Sequence, residues 1–424
     1  MTVCHLKESK PRTVAENRAV PDRVSEMLAE LRDGGEERAL SYARELDGWQ
    51  GPVVLDQAAV DAAAARLDDT VKDDITFARD RIRRFADAQR ATITDMEIEM
   101  APGFWAGQKS IPVHAAGCYA PGGRYSHIAS ALMTITTAKA AGVTHVTAAS
   151  PPRGDKGLAD EMVFAMDLAG ADAILCMGGV QAVAAMTFGF FGLPEADVLA
   201  GPGNAFVAEA KRQLFGRVGI DMIAGPTDSL IIADSSADAE TVAWDLVGQM
   251  EHGADSPVWL VTTDEALAEA VIARIPDLIE TLPQTNADSA RAAWADRAEV
   301  ILCDTAEEMV ETANDIAPEH LHVQADNLDF WLARLAAYGS LFLGAETTVA
   351  FGDKASGPNH VLPTSGAARY TGGLSVHKFL KTVTWQRTTA EAARPVAEVT
   401  ARISRLEGME GHARTADIRL TPRD

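Results

Sequence analysis

Two of the ten histidines in this 424-residue chain directly follow a glutamate: Glu251-His252 in "GQMEHGADS" and Glu319-His320 in "APEHLHV". A carboxylate beside an imidazole can supply a general acid and a general base near neutral pH. In the second pair, Pro318 suits the first position of a short helix. That would put Glu319 and His320 in its opening turn, either as a chemical pair or as a solvated helix start. In the first pair, the useful spacing is Gln249 to His252, three residues apart at the end of a helix. There His252 can share a metal with a second ligand or settle against helix-end carbonyls. Glu251 reads as a bystander and His322 as an ordinary surface or packing histidine.

Two further segments carry similar side chains. "FGDKASGPNHVLPT" holds Asp353, a hard ligand suited to zinc, and His360 in a loop dense in Gly, Pro and Asn. "RLEGMEGHART" holds Glu407 and His412 just past the last long helical pattern, where a frayed polar terminus is the plain alternative. Two glycine-rich turns, "YAPGGRYSH" and "GPGNAFVAEAK", could offer backbone amides to a phosphate, the second at Asn204–Phe206. Neither is a GxGxxG fingerprint. Cys118 is the one cysteine beside a motif and the one candidate for a thiol nucleophile.

The surrounding pattern says what must position these groups. Residues 1 to about 100 show helical spacing. From Tyr119 to about Asp228, short apolar runs that end in Gly or Ser ("VTHVTAAS", "ADAILCMGG", "ADVLAGPG") alternate with helical segments. A second set follows in "DSLIIADS", "VWLVTTD", "AEVILCDT" and "GSLFLG". Both sets predict βαβ units with parallel sheets. After about Ser375 the chain reads as mostly helical, with Val396, Val399, Ile403 and Leu406 on one stripe. The expected fold is α/β, with two Rossmann-like domains. The first is discontinuous, 17–118 with 229–374, and begins with a helical part. The second spans 119–228, flanked by an arm at 1–16 and a helical extension at 375–424. Ligands of such sheets bind beyond the carboxyl ends of strands, where "YAPGGRYSH", "GGVQ", "GPGN" and "AGPTD" fall.

Bulk properties narrow the function. With 61 acidic against 38 basic residues the net charge is −23, which opposes a general nucleic-acid or anionic-membrane role. Hydrophobic content of 47% and charged content of 23% are those of a globular enzyme. The four cysteines are scattered, without a CxxC pair, which fits a reducing cytoplasm. The start, "MTVCHLKESKPR", is polar and reads as no signal peptide. The apolar stretch Ala173 to Pro194 contains Gly-Gly and Gln181 and reads as strand, turn and helix rather than a membrane span.

Taken together and in order, "YAPGG", "GGVQAVAAMTFG", "GPGNAFVAEAK", "AGP", "QMEHG", "APEHL", "GDKASGPNHVLPT" and "LEGMEGH" resemble the histidinol dehydrogenase family over roughly residues 15 to 420. The resemblance implies a zinc-dependent, NAD-linked oxidation of a primary alcohol to a carboxylate through an aldehyde, with one Zn2+ per subunit. It implies Gln249, His252, Asp353 and His412 as zinc ligands, the last from the partner in an intertwined homodimer with shared active sites. It implies Glu319 and His320 as the catalytic pair, His360 and Glu407 as substrate contacts, and Tyr119, Gln181 and Asn204 as NAD contacts in the second α/β domain.

The chain also departs from the histidine-pathway pattern. Arg124 and His127 follow "PGG", Thr227-Asp228 replaces the usual Ser-Glu after "AGP", and His377 and Lys378 enter a divergent segment. Added cations suit an anionic substrate better than cationic histidinol. Thr227, Arg124 and His127 therefore join the expected substrate contacts, Arg124 alternatively serving NAD. The pattern is similar to the branch of the family that oxidises (R)-2,3-dihydroxypropane-1-sulfonate to (R)-3-sulfolactate, with L-histidinol as the alternative. A non-catalytic two-domain solute-binding protein is the distant alternative.

Overall fold

The computed structural model describes residues 4–10, 19–122, 126–223 and 225–421. Arg124 lies outside the described residues. The chain divides into two compact units, Met1–Ala88 with Val113–Phe379, and Gln89–Pro112 with Leu380–Asp424.

The larger unit holds two sheets. In the six-stranded sheet the order is Cys4–Lys7, Ala298–Leu302, Val258–Thr262, Ser229–Ala233, His320–Gln324, Ser340–Leu343. All neighbours pair parallel except the edge strand Cys4–Lys7. The five-stranded sheet, wholly parallel, runs Ala173–Cys176, His145–Ser150, Ala115–Tyr119, Val198–Ala200, Gly219–Ile220. The seven apolar runs read from sequence are all strands here. The fold is the expected α/β class.

Central strands buried on both faces need side chains for two cores. In Ser229–Ala233, Ile231 and Ala233 pack with Val242, Leu246 and Val247 of the helix Ala239–Met250. Leu230 and Ile232 pack on the other face with Met309, Val310 and Trp331. The neighbouring strand His320–Gln324 follows the same alternation. Its Leu321 and Val323 join the second core, which turns His320, His322 and Gln324 toward the face covered by Ala239–Met250. That strand therefore buries a polar face.

The helix Ala19–Leu46 shares a core with the helices Gly179–Phe188 and Ala205–Leu214 and with Tyr119, Leu175 and Met177 of the five-stranded sheet. The stretch from Ala173 forms a strand and, after a Gly-Gly turn, the helix Gly179–Phe188. No helix among the described residues is long and apolar enough to cross a membrane.

The smaller unit corrects two expectations of helix. Met96–Ala101 is a strand, and so is Leu380–Thr388; both pair antiparallel with Phe104–Pro112. Leu380–Thr388, rich in Thr with Val383 and Trp385, favours a pleated backbone by composition, whereas Met96–Ala101 is a strand through its pairing alone. The helix Ala390–Leu406 does form, but its buried residues are Ala397, Ala401 and Ser404. The stripe Val396, Val399, Ile403 and Leu406 is exposed, Leu406 at 88%.

Candidate active site

The Glu319-His320 pair does not open a helix. The preceding helix ends at Ile316, Ala317 adopts a left-handed backbone at φ 52°, and His320 begins its strand. Proline disfavours helical backbone in the residue before it, and His320 pairs directly with Ser229 and Ser340 on the flanking strands. The pair thus sits at the amino edge of the six-stranded sheet. The four glycine-rich turns do follow strands of the five-stranded sheet, as expected.

The strand position buries both residues, Glu319 at 6% exposure and His320 at 3%. Asp228, the residue before the adjacent strand, clasps them. Its carboxylate accepts from the Glu319 amide at 2.6 Å, and its own amide donates to Glu319 Oε2 at 3.0 Å. Thr227 donates its hydroxyl to the same Oε2 at 2.6 Å, and the Gln249 amide group donates to Thr227 Oγ1 at 2.7 Å. The Asp228 carbonyl lies 2.9 Å from His320 Nδ1, and a carbonyl can only accept. In the neutral ring the lone pair is therefore on Nε2. That atom is buried without a hydrogen-bond partner, 3.6 Å from Asp353 Oδ1.

Electrostatics separate these groups. Burial disfavours the Glu319 carboxylate, and neighbouring His320 offsets this only in part, so its pKa is pushed up to about 7. Burial also opposes charge on His320, but Glu319 and Asp353 together outweigh it and push the imidazole up to about 9. Burial likewise works against Asp353, yet His320 and its other cationic neighbours hold this carboxyl well below the usual carboxylate range. Asp353 is the fixed anion of the site, while Glu319 and His320 can exchange a proton.

A cavity of about 420 Å³ opens beside these residues, lined in part by His127, Asp245, Gln249, His252, Asp353 and Lys354. Gln249 lies in the last turn of Ala239–Met250, and His252 in the turn beyond it, its amide donating to the Gln249 carbonyl at 3.3 Å. The helix is capped by Asp238, whose carboxylate accepts from the Thr241 amide. His252 Nε2 stands 4.0 Å from Asp353 Oδ2. Two ligands of one tetrahedral zinc stand about 3–4 Å apart. Gln249 spends its amide nitrogen on Thr227, which leaves its oxygen for another partner. One amide oxygen, one imidazole and one carboxylate thus converge, a donor set that fits zinc but is one short of four. Among the described residues no three or more His, Cys, Asp or Glu form a metal cluster by themselves. His412 belongs to the smaller unit, exposed in the helix Glu410–Asp417, and Glu407 is exposed at the end of Ala390–Leu406.

Other expected contacts have evident local work. His360 accepts at Nε2 from the Ser130 hydroxyl at 2.9 Å and donates from Nδ1 to the Asp353 carbonyl at 2.8 Å, which pins the loop behind Asp353. His127 precedes the helix Ile128–Ala141 and does face the cavity. Burial and then His360 push its pKa down to about 4, so it offers a neutral imidazole where a cation was expected. The cation on this wall is Lys354, which sequence reasoning passed over as a loop lysine. It makes no ion pair among the described residues.

At the carboxyl ends of the five-stranded sheet, the Tyr119 hydroxyl accepts from the Gly179 amide at 3.2 Å. Asp47, missed in the sequence, accepts from the Gly178 amide and from the Gln181 side chain, both at 3.0 Å. The Gln181 Oε1 atom is left buried and unpartnered, an acceptor that a bound ligand could satisfy. Asn204 caps Ala205–Leu214 by accepting from the Phe206 and Val207 amides. The turn before it is locked by Gly201, at φ 115°, where any Cβ would collide with the Tyr119 carbonyl. A buried Lys211–Asp221 ion pair bonds to both the carbonyl and the amide of Gly201. The amides at both helix N-termini are thus spent within the chain, those of Phe206 and Val207 on Asn204, not exposed for a phosphate as the sequence suggested.

Cys118 is 1% exposed, and burial pushes its thiol up to about 12. It is a packing residue without the thiolate character a nucleophile needs.

A parallel α/β scaffold with a buried acid/base pair in one cleft is the frame of an enzyme, and comparison with known proteins gives its class as an oxidoreductase. The sequence profile described as histidinol dehydrogenase matches residues 10–420. Sulfopropanediol 3-dehydrogenase of Ruegeria pomeroyi is 60% identical over 420 residues, 99% of this chain and 97% of its own. Histidinol dehydrogenase of Thermus thermophilus is 39% identical over 400 residues, 94% of each chain. The crystal structure of histidinol dehydrogenase from Elizabethkingia anophelis superposes with a TM-score of 0.90 at 30% identity, covering 97% of this chain and 94% of that one. The chain belongs to the histidinol dehydrogenase family. That membership sets aside the solute-binding alternative.

Proposed function

We propose that this enzyme oxidises (R)-2,3-dihydroxypropane-1-sulfonate to (R)-3-sulfolactate in two NAD-linked steps. The observation that carries the chemistry is the buried, unpartnered Nε2 of His320 beside an anionic Asp353. His320 takes the hydroxyl proton as hydride leaves the alcohol carbon, giving the aldehyde. Glu319, with a pKa near neutrality, draws a proton from water as it adds to that aldehyde, while His320 returns its proton to the carbonyl oxygen and is free again as a base. His320 then takes a proton from the resulting hydrate as the second hydride leaves, giving the carboxylate. NAD supplies the hydride acceptor, one molecule for each two-electron step. Tyr119, Gln181 and Asn204 are the proposed contacts to it, supported by the buried Gln181 Oε1 that no described residue satisfies.

Gln249, His252 and Asp353 would hold one Zn2+, with His412 contributed across a homodimer interface. The metal supplies Lewis acidity that polarises the substrate oxygen and eases loss of its proton. The dimer reading is supported by the apolar stripe Val396, Val399, Ile403 and Leu406, exposed on the chain alone. Light scattering should return twice the 45.1 kDa of one chain. A monomer would leave the zinc set one ligand short. Four unpaired cysteines suit a reducing cytoplasm.

The sulfonate reading rests on identity to the Ruegeria pomeroyi enzyme and on Lys354, a cation on the cavity wall that would repel protonated histidinol. Thr227, His127 and Arg124 are the further contacts proposed, with His360 and Glu407. The test is NADH release by the purified enzyme on the sulfonate, on histidinol and on neutral diols. The sulfonate should be the preferred substrate and should yield about two NADH per molecule. Lys354→Met should raise its KM by roughly 10–100-fold, the worth of one charge-assisted hydrogen bond of about 1.5–3 kcal/mol, with little change for NAD. Turnover of histidinol alone, or an unmoved KM in the variant, would overturn the sulfonate reading.

A further inference from the structure

We infer that Asp245 is the positioning residue of the metal site, a single carboxylate that ties together the three elements bearing its ligands and its base. The inference rests on the zinc reading above. Asp245 lies on Ala239–Met250, one turn before Gln249. Its Oδ1 accepts from the Thr348 hydroxyl at 2.8 Å. Its Oδ2 accepts from the Gln324 side-chain amide at 2.7 Å and faces His322 Nδ1 at 3.3 Å.

Each partner belongs to an element of the site. Thr348 is the cap residue of the helix Val349–Lys354, which carries Asp353. It makes no side-chain capping bond within that helix, so its hydroxyl is spent on Asp245. A six-residue helix is too short to hold its own place. His322 and Gln324 lie on the polar face of the strand that begins with His320, and His322 is fully buried, the packing rather than the surface alternative. Its Nε2 donates to the Gly344 carbonyl at 2.9 Å. Three buried or half-buried polar side chains therefore converge on one carboxylate, between the carrier of Gln249, the carrier of Asp353 and the carrier of His320.

Metal binding tolerates ligand displacements of only about 0.2 Å. Residues that orient ligands without touching the metal change its affinity by about 10–100-fold. Thr348→Val keeps the shape of the side chain and removes one hydrogen bond to Asp245. In the full-length enzyme it should weaken zinc binding by about tenfold or more, measured by competition with a chromogenic chelator, and lower kcat while leaving the KM for NAD unchanged. Thr348→Ser should restore zinc affinity to within about threefold of wild type. Should the valine variant not fold, Gln324→Met, which removes another donor to the same carboxylate, carries the same expectation. Unchanged zinc affinity in the valine variant, or an equal loss in valine and serine variants, would overturn the role of Asp245. A wild-type enzyme that binds no zinc would overturn both this inference and the metal reading beneath it.

Discussion

His320→Asn should lower kcat by about two to four orders of magnitude, the usual worth of a positioned general base, and leave the fold intact. Asparagine can still donate to the Asp228 carbonyl from a nitrogen close to the place of Nδ1, so the bond at 2.9 Å that orients the ring has a substitute. What it lacks is the lone pair at Nε2. That atom has no hydrogen-bond partner among the described residues and stands 3.6 Å from Asp353 Oδ1. Its removal also takes away the cation that Glu319 and Asp353 stabilise, so any fall in melting temperature should be largest near and below neutral pH and vanish above about pH 9. A catalytic base and a packing histidine make opposite forecasts here. The first loses rate whatever the pH of the melt, and the second loses stability while it keeps its rate. A kcat within about threefold of wild type, or a fall in Tm with activity retained, would show that His320 only packs.

Glu319→Gln should uncouple the two oxidations. The amide oxygen can still accept from Thr227 and from the Asp228 amide, which now reach Oε2 at 2.6 and 3.0 Å. Water activation at the aldehyde stage is lost, and oxidation of the supplied aldehyde should fall by about 10²–10⁴-fold. The first oxidation should persist, so that NADH drops from two toward one per alcohol when the aldehyde is trapped. The sign of a pH effect also follows. Burial lowers the His320 pKa and Glu319 raises it. Removal of the glutamate charge shifts the acidic limb of the alcohol-oxidation profile to lower pH, because the imidazole then loses its proton sooner. Two NADH per alcohol and unchanged aldehyde kinetics would assign the water step elsewhere.

Much of this was legible in the chain because it is local. Strands such as "DSLIIADS" announce themselves by continuous apolar runs ending at turns, and each site segment stood out by composition. "APEHLHV" was misread for a reason of the same kind. Pro318 offers a helix start to anyone reading locally, while the strand it precedes exists because Ser229 and Ser340 lie on either side, about 90 and 20 residues away in sequence. Asp47, Asp245 and Lys354 escaped notice, and Asp228 stood out only as a departure from the family pattern, because nothing in their neighbourhoods singles out one acidic or basic residue in so charged a chain. Their meaning comes from partners such as Gln181, Glu319 and Thr348 that only folding brings near. The stripe from Val396 to Leu406 was legible as a helix face, but its periodicity does not say whether the cover is this chain or another.

The polar contacts around the base close on themselves. From Gln249 they run to Thr227, Glu319, His320, Asp353 and His252, and the His252 amide returns to the Gln249 carbonyl. A closed circuit has no terminal member, so losses measured one residue at a time overlap. In double-mutant cycles, Glu319→Gln combined with His320→Asn should cost far less than the product of the two separate losses. Single-residue kinetics would then count the same free energy more than once, and the circuit as a whole is the smallest unit to which a catalytic contribution can be assigned.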